Sequence, residues 1–139
     1  MKDEGGRMKG GDLAARTKEF ALRIIRLYSA LPKSTEAQIL GKQLLRSGTS
    51  VGAHYREAVR ARSNAEFVSK LEGGMQELEE STYWLELLVE AGIFQPSKLT
   101  PLRDEADELM AILVTCAKNA KMKAGKERMK DEGRRRNNQ

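Results

Sequence analysis

The stretch QLLRSGTSVGAHYREAVRAR, residues 43–62, decides the fold. Read at helical spacing together with the turn before it, it carries three stripes. Leu40, Leu44, Val51 and Ala58 make an apolar one. Beside it, Gln43, Ser47, Ser50, His54 and Glu57 recur at intervals of four, three, four and three, a heptad rhythm in polar residues. Gly41, Gly48 and Gly52 lie on a third line. Glycine inside a helix costs about 1 kcal/mol against alanine. Three of them in one helix therefore point to close approach by another helix. A helix with an apolar stripe, a polar seam and a glycine notch is central and touches neighbours on more than one side.

Working outward, the flanking segments also read as helices. Leu13, Phe20, Ile24, Leu27 and Leu31 keep one face of a first helix apolar from about Asp12 to Ala30, and Pro32 stops it. Thr35-Glu36-Ala37-Gln38 has the form of a capping box opening the second helix, and Ser63-Asn64-Ala65-Glu66 repeats it for the third. Phe67, Leu71, Met75, Leu78, Leu85 and Val89 form the third helix's apolar line, and Gly92 is its expected stop. Thr100 and Pro101 serve as N-cap and first residue of a fourth helix, with Asp104, Glu105 and Asp107 near its positive end. No run alternates at period two between turn signals, so no strand is expected. The expectation is an all-α protein, an antiparallel up-down four-helix bundle over residues 12–120. Residues 1–11 and the basic tail 121–139 are expected to be disordered.

The segments RSGTSVGAHYREA (46–58), EF-SKLE (66–72) and E-EESTYWLELL-EAGIF (77–94) come in the order seen in a known family. The chain resembles, from about Asp12 to Lys118, the four-helix-bundle proteins encoded in intervening sequences of bacterial 23S ribosomal RNA genes. The accessory variability protein of diversity-generating retroelements shares their fold group. The pattern usually has Asn where this chain has His54. The resemblance implies a four-helix bundle, a homopentamer, and an association with RNA or with a nucleic-acid-handling partner.

Composition narrows the function classes. One cysteine, Cys116, excludes an internal disulfide and fits a reducing, cytoplasmic setting. One His and one Cys do not make a usual zinc site, and no cofactor or metal is expected. No apolar run approaches the roughly 20 residues that span a bilayer. The net charge is +5, but residues 118–139 hold nine Lys/Arg against three acids, a net of +6, which leaves −1 on residues 1–117. The basicity is a tail.

Ser50, His54 and Glu57 stand at i, i+4 and i+7 and invite comparison with a catalytic triad. On one straight helix the backbone N–H groups are already bonded, so no oxyanion hole forms. A non-enzymatic protein with no small-molecule substrate is expected, and the seam is read as a polar network within the bundle or at a subunit junction. Gly48, Gly52, Tyr83, Trp84, Leu87 and Leu88 are the candidate oligomer contacts. Arg46, Arg56, Arg60 and Arg62, together with Lys121, Lys123, Lys126, Arg128, Lys130, Arg134, Arg135 and Arg136, are the candidate nucleic-acid contacts, through sequence-blind attraction to phosphates. The alternative is a protein–protein interaction module with no nucleic-acid role.

Overall fold

The computed structural model describes residues 10–138, with side chains from Leu13 onward. Four helices follow one another: α1 (Gly10–Ser29), α2 (Thr35–Val59), α3 (Asn64–Glu90) and α4 (Pro96–Asn137). No strand occurs among the described residues. Each helix packs on its chain neighbours, and a slimmer α1–α4 contact closes the ring. Short connections between amphipathic helices produce this antiparallel four-helix bundle. Its core is aliphatic, with Phe20 the one fully buried ring: Leu13 and Ile24 from α1, Leu44 and Val51 from α2, Leu71, Leu78, Leu85 and Leu88 from α3, and Leu109 and Leu113 from α4 are sealed from solvent.

The helix boundaries differ from the sequence expectation in instructive ways. The expected disorder of residues 1–11 lies outside the described residues except at Gly10 and Gly11, which begin α1. Ser34, not Thr35, caps α2: its hydroxyl accepts from the Ala37 N–H at 3.3 Å. Gln38 does not return a bond to the cap. Its amide donates to the Pro32 carbonyl at 2.8 Å and accepts from the Tyr28 hydroxyl at 3.2 Å, tying the α1–α2 turn together. Ser63 caps α3 as expected, while the Glu66 carboxylate reaches one residue further back, to the Arg62 N–H. α3 ends with Gly92 at φ +75°, and the N–H groups of Gly92 and Ile93 bond the Val89 and Leu88 carbonyls. That is a Schellman stop, which requires the left-handed backbone glycine supplies.

α4 starts at Pro96, not at Pro101. Both prolines suit a first turn, but Gln95 precedes one and is held extended, the geometry of an N-cap. Pro101 then sits one turn in. Its missing N–H leaves the carbonyl of exposed Ser97 to solvent, and Thr100 turns its hydroxyl back to the Pro96 carbonyl at 2.9 Å. Asp104, Glu105 and Asp107 are thereby moved out of the positive first turn. At its other end α4 does not fray at residue 120. It runs as helix to Asn137, so the basic tail is a helical extension.

The glycine notch faces α1. A Cβ on Gly48 would stand 2.8 Å from Ile24 Cγ1, and one on Gly52 would stand 3.1 Å from Thr17 Oγ1. Ile24 is β-branched and fully buried, so it has no room to give way. Thr17 is also sealed, its hydroxyl donating to the Leu13 carbonyl at 2.7 Å. Gly48 and Gly52, expected at an oligomer contact, are thus used inside the protomer. Gly48→Leu is expected to lower the melting temperature, with overpacking costing about 1–3 kcal/mol. If α2 instead gained only helix propensity, the melting temperature would rise, and thermal unfolding by circular dichroism distinguishes the two by sign.

Candidate nucleic-acid interface

The polar seam of α2 faces α3. Ser47 and Ser81 are both fully buried, their hydroxyls 2.9 Å apart. Each also has a carbonyl of its own helix within reach, Leu44 for Ser47 at 3.3 Å and Glu77 for Ser81 at 2.9 Å, and either hydroxyl can donate to the other. A hydroxyl placed in a core costs free energy unless bonded, and here each is satisfied across or along the helices. Two turns on, the His54 ring lies against Gly73 and Gly74, where a Cβ at Gly73 would be 3.0 Å from Nδ1. His54 sits between two carboxylates, with Nδ1 3.5 Å from Glu57 and Nε2 3.9 Å from Glu77. Glu57 in turn pairs with Lys70 at 3.3 Å. Ser50 donates to the Arg46 carbonyl at 2.6 Å, as a helical serine does, so the triad geometry does not form. Gln43 is exposed at the seam's end. The seam is therefore an α2–α3 packing surface. No group of His, Cys, Asp and Glu able to hold a metal occurs among the described residues.

The arginines of α2 divide into two kinds. Arg46 donates to both Glu77 and Glu80 on α3 and is neutralised there. It leaves the set of candidate phosphate contacts. Arg56, Arg60 and Arg62 are exposed and pair with no carboxylate among the described residues. They surround, with Glu57, Glu66 and Lys70, an open depression of about 540 Å³ on the α2–α3 hairpin. Elsewhere cations are used structurally. Arg16 of α1 forks onto Glu105 at 2.6 Å and Glu108 at 3.0 Å of α4, the polar clasp of the slim fourth seam. The Glu105 bond holds the Arg16 guanidinium charged more firmly than usual, against burial and with help from Glu108. Nearby, burial pushes the Tyr55 phenol up from its ordinary value, with Cys116 adding to the shift.

The tail and the arginine hairpin lie at the same end of the bundle. Asn64, the first residue of α3, donates to the Ala120 carbonyl of α4 at 2.8 Å, and Lys121 pairs with Glu72 at 2.8 Å. Beyond Lys121 no side-chain bond links α4 to another helix among the described residues. The remaining 16 residues to Asn137 project roughly 24 Å at about 1.5 Å per residue. Lys123, Lys126, Arg128, Lys130, Arg134, Arg135 and Arg136 all lie on this exposed length. In sequence the tail and the hairpin are separate features, because nothing in the chain's order shows that residue 120 returns to residue 64.

The other candidate contacts separate by burial. Leu88 is fully buried in the core and is removed from the oligomer candidates. Tyr83 is 52% exposed, its ring 5.1 Å from that of Trp84. Trp84 and Leu87 are half-buried, and the Trp84 indole N–H is enclosed with no acceptor. Leu22, Ile25 and Val114 are further apolar side chains left facing outward.

Residues 12–115 match the family described as 23S rRNA-intervening sequence protein. No curated protein matches the chain. Among solved structures, a protein with unknown function from the S23 ribosomal protein family of Bacteroides thetaiotaomicron is similar. It is 36% identical, with a TM-score of 0.72, over 76% of this chain and 95% of that one. The extension of α4 beyond residue 115 lies outside the family match. By sequence match and by fold, the chain belongs to the 23S rRNA-intervening sequence protein family.

Proposed function

We propose that this protein is a non-enzymatic, homo-oligomeric bundle that binds RNA through its phosphate backbone at one end. The observation that carries the reading is the meeting of two basic features: unpaired Arg56, Arg60 and Arg62 on the hairpin, and the projecting cationic length of α4. Guanidinium groups without carboxylate partners are free to take phosphate oxygens two at a time. Neutralising phosphates releases counterions, so such binding is sequence-blind and salt-sensitive. The family description, an intervening sequence of 23S rRNA, supports RNA over other polyanions. The outward apolar side chains support self-association, and the family resemblance suggests a pentamer.

Two outcomes are expected. Light scattering at micromolar concentration gives a mass several times the 15.6 kDa of one chain; a monomer mass contradicts the oligomer. For RNA, log K falls with log salt at a slope of about −2 to −5, for roughly three to six phosphates neutralised per chain. Ending the chain after Lys123 keeps the Asn64 and Lys121 anchors, and so the bundle. It is expected to weaken affinity at least tenfold and to flatten the slope. Unchanged affinity and slope would move the site to the hairpin alone. Absence of RNA binding by the full chain at low salt would replace this reading with the protein-interaction one.

A further inference from the structure

Arg56 borders three depressions at once. The first is the hairpin basin it shares with Arg60 and Arg62. The second lies between α1 and α2, beside Ala14, Val59 and Arg60. The third continues along that groove to Lys18 and Thr49, over a floor of Ala21, Gly52 and Ala53. Arg56 is common to all three, and together they mark out a path from the hairpin onto α1. Its floor is smooth because Gly52 and small neighbours occupy the line where α1 and α2 press together. Lys18, at the far end, is exposed and has no carboxylate partner among the described residues.

We infer that this path carries RNA phosphodiester backbone, entering at the Arg62 hairpin, passing Arg60 and Arg56, and ending at Lys18 on α1. The inference rests on the RNA-binding reading above and adds to it a route and a residue from a second helix. From Thr49 to Arg60, α2 rises roughly 17 Å, long enough for a few consecutive phosphates of one strand. The one ring along the path is Tyr55, 5% exposed, so it offers no stacking platform. Backbone, not bases, is what such a surface holds, and it fixes position without reading sequence.

The test uses the full chain and a fluorescent RNA stem-loop with a single-stranded overhang, titrated across a salt series. Lys18→Ala is expected to weaken binding about three- to tenfold and to make the salt slope shallower by about one. Lys98→Ala, an exposed lysine at the start of α4, is expected to change neither. The Lys18 side chain makes no bond that folding needs, and an unchanged melting temperature checks this. Lys18→Ala behaving like Lys98→Ala while Arg56→Ala loses affinity overturns the route and leaves the RNA reading standing. No binding by the unmodified chain at low salt overturns both.

Discussion

The backbone of α2 approaches α1 at Gly48 and Gly52 and approaches α3 where His54 lies on Gly73 and Gly74. Both approaches come from one helix, so its two flanks are fixed together. On the α1 side, missing side chains let Ile24 and Thr17 sink to the α2 backbone. On the α3 side, Ser47 and Ser81 bond across the core, and any slip along the axis would part them and lose that bond. Non-directional burial sets the size of the core, while these contacts set its register.

That register distributes charge. With Ser47 opposite Ser81, Arg46 falls beside Glu77 and Glu80 and is consumed by them. About three turns further on, α3 nears its N-terminus, and Arg56, Arg60 and Arg62 pair with no carboxylate among the described residues. α4 passes the same end and continues alone, carrying the cations that give the chain its net charge of +5. The bundle is electrically lopsided because carboxylates sit along the length of α3 and α4 while the free guanidiniums gather where the α2–α3 hairpin turns.

Periodicity made much of the fold legible. The polar heptad of α2, the apolar line of α1, and Ser63 and Gly92 as punctuation all stand where spacing puts them. What sequence left open was direction. A glycine notch announces close approach but not by which helix, and Gly48 and Gly52 of α2 receive α1, not a second subunit. Ser34 and Thr35 are equally good caps on paper, and only the turn held by Gln38 chooses between them. Pro96 and Pro101 both suit a helix start, and the extended Gln95 decides. Leu88 lies off the apolar line drawn through Phe67 and Met75, yet the line that packs runs through Leu71, Leu78, Leu85 and Leu88. Of the candidate site, the arginines were legible as residues. Their pairing was not, because Glu77 and Glu80 stand over thirty positions from Arg46. Lys18 had no signal, being a lone lysine on a charged face until α2 is laid beside it.

Hydrogen exchange by mass spectrometry, with and without a structured RNA, tests the location of binding most directly. A site at the basic end predicts slowed exchange over residues 53–66 and along α4 beyond Lys121, with the α2–α3 seam around Arg46 and Trp84 unchanged. Slowing centred on the α3–α4 face around Tyr83 and Asp107, with the hairpin and the extension unaffected, would contradict it.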